Sequence, residues 1–197
     1  TLVKLYPEMA HAHNNLGCYL KKIGQFEEAL VCCCHALEIE PGYREAYYNI
    51  AAVLRYRTFS RPVTALPNLA NILIDIITNA TIIRPNEISS ACLSLLKLES
   101  RFRTLLDDAL NTNTKQNVST VIETLSEIPL LLELMSVCFL PDYDVERFFT
   151  AIRAGILFFL IDLDDQNENS MFELALALQC FSNEHIYAQT DEEIRAL

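Results

Sequence analysis

Leu5-Tyr6-Pro7-Glu8-Met9-Ala10-His11-Ala12-His13-Asn14-Asn15-Leu16-Gly17 and Ile39-Glu40-Pro41-Gly42-Tyr43-Arg44-Glu45-Ala46-Tyr47-Tyr48-Asn49-Ile50-Ala51 align at an offset of 34 residues. The alignment sets Pro7 on Pro41, Asn15 on Asn49, and Leu16-Gly17 on Ile50-Ala51. A period of this length is that of a helix–turn–helix unit. One such unit cannot bury its apolar face alone, so the repeat predicts stacked helices before it predicts any chemistry.

The spaced residues of the one complete unit, Ala10 to Tyr43, each have a physical task. Leu16, Gly17 and Leu20 fall on its first helix, and Ala29, Cys33 and Ala36 on its second. Gly17, Ala29 and Ala36 are small where paired helices must approach closely. Gly24 is placed as the turn between the helices. Pro41 ends the second helix, because it lacks an N–H and its φ is fixed. This pattern resembles the tetratricopeptide repeat. His13 stands where that family prefers a large apolar residue, and Cys33 where an aromatic is usual. The resemblance covers residues 1–57: the end of one repeat, a whole repeat, and the first helix of another.

Composition agrees with an all-α chain. Of 197 residues 51% are hydrophobic, with 4 Gly, 7 Pro and no Trp, and the apolar positions recur at three- and four-residue steps. The longest apolar run, Ile156 to Ile161, is bounded by Arg153 and Asp162 and is far shorter than the roughly 18 residues that suggest a membrane span. It reads as a core helix. No initiator Met or secretory signal pattern opens the chain, so a fragment of a larger protein is expected, with no membrane partner.

Past Arg57 the repeat fades and helical punctuation continues, giving a second region, 58–197, of irregular α-solenoid or bundle character. Thr58 to Pro67 is a break, followed by an apolar helix from Leu66 to Ile77. Pro85 drives Arg84 to an extended conformation. Helices are expected over about 87–98, 100–111 and 117–127, then from Leu130 to Phe139. Asp142 or Asp144 caps a long helix reaching Ile161, and Ser170 caps a last one reaching Cys180.

The net charge of −11 is uneven. Residues 1–61 carry seven Lys/Arg against six Asp/Glu, whereas 62–197 carry eight against twenty. An acidic surface without a basic stripe excludes nucleic acid as a natural partner. The seven cysteines, scattered through helical patterns, argue for a reducing, cytoplasmic setting rather than a disulfide framework. Cys32-Cys33-Cys34-His35 is the best metal candidate, yet neighbours on a helix diverge by about 100° and no second pair completes four ligands. Hence no metal site is expected. The four glycines never cluster into a nucleotide-cradling loop, and Asp107-Asp108 and Asp164-Asp165 read as solvated acids. The reading is therefore of a non-enzymatic segment with no cofactor.

A second resemblance lies in Ile83 to Ile88, in Ser94 to Leu98, and above all in Ala177-Leu178-Gln179-Cys180-Phe181-Ser182-Asn183-Glu184-His185-Ile186-Tyr187. These stretches are similar to the region between the repeats and the catalytic domain of bacterial tetratricopeptide-containing methyltransferases. Asn183, Glu184 and Tyr187 match a short interdomain signature, whereas His185 replaces its tyrosine. The resemblance implies an attached S-adenosylmethionine-dependent catalytic domain beyond Leu197. The alternative is the repeat region of a glycosyltransferase of the O-linked N-acetylglucosamine type, whose repeats carry Asn at the position of Asn15 and Asn49.

The expected function is a protein- or peptide-interaction scaffold. Asn15 and Asn49 occupy one position of successive first helices and are expected to form an amide ladder on the concave face, flanked by His11, Tyr48, Asn14 and Arg44. An amide offers donor and acceptor to an extended peptide backbone. The competing reading is that each Asn ties neighbouring helices together.

Overall fold

A computed structural model describes residues 2–60, 68–79, 83–111, 118–138, 140, 142–161 and 175–177. All regular structure among them is helical, and they divide into two compact units, Thr1–Leu95 and Leu96–Leu197.

The first unit opens with α1 (Leu2–Leu5), α2 (Ala10–Lys22), α3 (Phe26–Ile39) and α4 (Arg44–Leu54). Helix α2 ends in a Schellman motif: Gln25 N–H donates to the Leu20 carbonyl and Gly24 N–H to that of Lys21, with Gly24 at φ +84°. That reversal folds α3 back along α2. The connection to α4 is a tight turn in which Tyr43 N–H donates to Glu40 C=O. Pro41 presets the first corner, and Gly42, at φ +94°, takes the second, which a side chain would strain.

Small residues let the pair close. A Cβ on Gly17 would lie 2.5 Å from Cys33 Sγ and 3.1 Å from the backbone oxygen of Ala29. Ala29, Ala36 and Ala46 are fully buried, as are Leu30 and Ile50. Close approach at the positions anticipated from the repeat is thus a packing fact.

Further along the unit, α5 (Leu69–Thr78) buries Leu69, Ile72, Leu73, Ile76 and Ile77, the i, i+3, i+4, i+7, i+8 stripe of a core-facing helix. The expected helix is present from Leu69, and Leu66 lies outside the described residues. A 3-10 turn at Pro85–Glu87 precedes α6 (Ser89–Leu96). Arg84 is extended, as a residue before proline should be. Phe59 N–H donates to Ser94 Oγ, Arg55 pairs with Glu87, and the Tyr47 hydroxyl donates to Asp75. These contacts fasten the later helices to the repeat-like ones.

The second unit contains α7 (Ser100–Asn111), α8 (Val118–Ser126), α9 (Pro129–Val137) and α10 (Tyr143–Ile161). Phe102, Phe148 and Phe149 form its aromatic centre, with Phe102 meeting Phe148 edge-on at 6.0 Å. Pro129 occupies the first turn of α9, where no N–H is needed. Asp142 caps α10, its Oδ1 accepting from Val145 N–H at 3.2 Å. The same carboxylate receives Lys97 Nζ at 2.6 Å on both oxygens. Glu99 caps α7, its Oε2 accepting from Phe102 N–H. The run from Ile156 to Ile161 ends α10, and no helix among the described residues is long and apolar enough to cross a membrane. The expected helix from Ser170 to Cys180 lies outside the described residues except for 175–177, which are helical.

Replacing Gly17 by Ala gains about 1 kcal/mol of helix propensity. It loses about 1–3 kcal/mol to overpacking, so net destabilisation is expected in denaturant melts. Truncating Cys33 to Ala in the same chain removes the nearest obstructing atom, and the double-mutant cycle should show coupling of about 0.5–3 kcal/mol between the two positions. Ala36→Leu, at a fully buried site, should cost about 1–3 kcal/mol by itself.

Candidate functional site: the face shared by two successive helices

Helices α2 and α4 lie side by side, and their contact is polar. Residues His11, Asn14, Cys18 and Lys21 recur at three- and four-residue steps, which lays them along one stripe of α2. Lys21 Nζ donates to Asn49 Oδ1 at 2.7 Å, and Asn49 Nδ2 donates to Asn14 Oδ1 at 2.9 Å. The sense of each amide follows from the lysine. An ammonium can only donate, so Asn49 must present its oxygen to Lys21 and its nitrogen to Asn14. Asn14, its oxygen occupied, has its own nitrogen left to donate, and that amide lowers the pKa of the Tyr43 phenol. Tyr43 Oη and His11 Nδ1 lie 2.9 Å apart, and the row closes if the phenol donates to a neutral imidazole protonated on Nε2.

This row has consequences for each expected residue. Asn14 is 5% exposed and forms the centre of the row. Asn49 is half-buried and bonded on both sides. Asn15, although repeat-equivalent to Asn49, is exposed and outside the row. Asn49 meets the residue before Asn15 and ties α4 to α2, as the competing reading of these amides has it. The reason is rotational. Equivalent positions on stacked helices point the same way, so they follow one another around the stack and do not face each other. Asn49 points back at α2, whereas Asn15 is exposed. Tyr48 is exposed and receives a long hydrogen bond, 3.4 Å, from Arg44. His11 is exposed at the end of the row. Asn183, Glu184 and Tyr187 lie outside the described residues.

Lys21 was not anticipated. Its spacing of seven from Asn14 was the available signal, since that places both on one stripe. Tyr43 was also missed as a participant. Burial raises its phenol above the ordinary range, helped by Glu45 and opposed by the hydrogen bond to Asn14. Burial likewise raises Tyr47, with Asp75 adding to it.

The cysteines diverge around α3 as its geometry requires. Cys33 faces Gly17, Cys34 is buried, and Cys32 is partly exposed. Burial pushes the thiols of Cys33 and Cys34 up to about 12, with neighbouring Cys32 and Cys33, respectively, adding to the rise. Among the described residues no three His, Cys, Asp or Glu side chains are grouped to hold a metal. His13 and His35 approach with ring centroids 5.8 Å apart, but each is engaged locally, His13 with the Pro7 carbonyl and His35 with Glu38.

Compared with protein-family models, characterised proteins and solved structures, the chain has no significant match in any of the three.

Two measurements separate these roles. Asn14→Ala strands the amide of Asn49 and should cost about 1–3 kcal/mol of stability. Asn15→Ala, at an exposed site outside the row, should stay within about 0.5 kcal/mol of wild type in the same melts. For the thiols, a pKa of about 12 leaves a thiolate fraction of roughly 10⁻⁴ at pH 8 for Cys33 and Cys34. Mass spectrometry after iodoacetamide treatment should find both unmodified in the folded chain and alkylated after unfolding. The unfolded thiols ionise near the ordinary value, below the folded ones, so stability should be intact below about pH 9 and fall as pH rises towards 12.

Proposed function

We propose that the first unit is an interaction module of tetratricopeptide type that holds an extended peptide across the exposed side of α2 and α4. One observation carries this reading: two helices at a 34-residue offset stand abreast, locked by the Lys21–Asn49–Asn14 row, with polar and aromatic groups exposed beside that row. Asn15 and Lys22 are exposed on α2, and Glu45 and Tyr48 on α4. Asn15 supplies donor and acceptor to a peptide backbone, and Tyr48 a flat apolar surface with a polar tip. Asn49 contributes indirectly, by fixing the spacing of the two helices.

The similarity of the segment from Gln179 to Tyr187 to the interdomain signature of methyltransferases supports a wider proposal. In it, the module serves as the non-catalytic region of a larger S-adenosylmethionine-dependent enzyme, and presents clients to it or docks on it. The glycosyltransferase reading draws on Asn15 and Asn49 as a peptide-facing amide ladder. The pairing of Asn49 with Asn14 and Lys21 weakens that basis.

The test is a selection from a displayed library of unstructured peptides, followed by calorimetry with the enriched sequences. Asn15→Ala combined with Tyr48→Ala should weaken binding by at least about tenfold while leaving the melting temperature unchanged. Enriched peptides that bind this variant as tightly as wild type would sink the reading. Affinity should be modest in any case, since two helices offer a short groove.

A further inference from the structure

Two histidines stand apart from the α2–α4 row, one on each arm of the α2–α3 hairpin. His13, half-buried on α2, places Nε2 2.8 Å from the Pro7 carbonyl oxygen. His35, exposed on α3, places Nδ1 2.7 Å from Glu38 Oε2. A carbonyl can only accept, so neutral His13 carries its proton on Nε2 and a lone pair on Nδ1. An ionised carboxylate likewise only accepts, which puts the proton of neutral His35 on Nδ1 and the lone pair on Nε2. Among the described residues neither lone pair has a protein partner.

The two rings approach across the hairpin, with centroids 5.8 Å apart and planes inclined at 50°. With metal–nitrogen bonds of about 2.0–2.1 Å, two imidazoles on one ion have centroids roughly 5–6.5 Å apart, from a tetrahedral to a linear angle at the metal. The observed spacing falls inside that range. The oxygen partners fit as well. A histidine that ligates a metal typically donates its other N–H to a carbonyl or a carboxylate, which orients the ring and raises its basicity. Pro7 supplies the carbonyl here, and Glu38 the carboxylate.

We propose that His13 Nδ1 and His35 Nε2 share a divalent first-row cation of the kind imidazole prefers, zinc, nickel or copper, which staples α2 to α3. No third His, Cys, Asp or Glu joins them among the described residues, so water fills the remaining coordination positions and the ion exchanges freely. Magnesium, which favours oxygen ligands, is a poor occupant. The hairpin closes at Gly17 without the ion, so the metal adds stability as it binds and is not required for folding. Because His13 also holds the Pro7 carbonyl, the staple reaches the turn that leads into α2. None of these residues belongs to the Lys21–Asn49–Asn14 row, and the site is independent of the peptide reading.

Calorimetric titration of the untagged full chain with nickel chloride tests this. Nickel should bind one to one, and the melting temperature should rise with nickel concentration, whereas magnesium should do neither. Glu38→Gln, which keeps the shape of the side chain and loses its charge, should weaken binding about tenfold, and His13→Gln and His35→Gln should each weaken it more. His11→Gln should leave it unchanged. So should Cys32→Ser, one turn before His35 on α3. Metal-free variants should match wild type in circular dichroism; if half-buried His13→Gln melts early, the exposed His35→Gln decides the matter. Nickel that binds only at millimolar concentration, or binds His35→Gln as tightly as wild type, overturns the proposal. Binding that Cys32→Ser abolishes does so too, because it places the ion on a thiol.

Discussion

The absence of a side chain at Gly17 governs the first unit. The α2–α3 interface there is tight enough that one methyl group would reach the sulfur of Cys33 and press on the backbone of α3. Packed interiors do not yield smoothly to such an intrusion, so the hairpin is closed at one separation and one crossing. That separation in turn fixes where α3 stands when the turn at Pro41-Gly42 launches α4. The alanines at 29, 36 and 46 continue the theme, with close approach supplying dispersion contacts that larger side chains would prevent.

Between α2 and α4 the physics differs. An apolar seam can slide by a turn at little penalty, whereas a row of amides and an ammonium cannot. A one-turn slip would take Lys21 from Asn49 and leave Asn14 buried without a partner, at a cost of several times the net worth of one hydrogen bond. Among the described residues no buried side-chain polar atom lacks a partner, so the row is satisfied in the register observed. Its contribution is specificity of alignment more than gross stability, the role best attested for buried polar contacts elsewhere.

The sequence made the elements legible and hid the neighbours. Gly24 and Pro41 announced the two reversals because each enforces a local backbone shape, and the pair Asp142 and Asp144 marked the start of α10, where Asp142 is the cap, because a cap acts within three residues. Small residues at 17, 29 and 36 disclosed close helix contact through their size alone. What a period cannot disclose is which positions face each other across an interface. The repeat identified Asn15 and Asn49 as equivalents, but equivalence is translation along the stack, and contact requires a rotation around the helix as well. Hence Asn14 and Lys21, unremarkable as sequence, hold the interface. Glu99 as the cap of α7 was invisible for a related reason, since glutamate is a poor capping residue in general and succeeds here by accepting from Phe102 N–H.

The clasp of Lys97 on Asp142 bears on how the second unit can change over time. It joins residues 45 apart, so α7, α8 and α9 form the body of a closed loop whose ends are pinned at the foot of α10. The entropy of closing a loop grows only with the logarithm of its length, about 0.6 kcal/mol for each doubling. The turn between α8 and α9 is therefore a permissive place for insertions, provided they leave the aromatic cluster packed. The clasp itself tolerates no such freedom: one carboxylate both starts a helix and closes the loop, so a single substitution there would release two constraints at once.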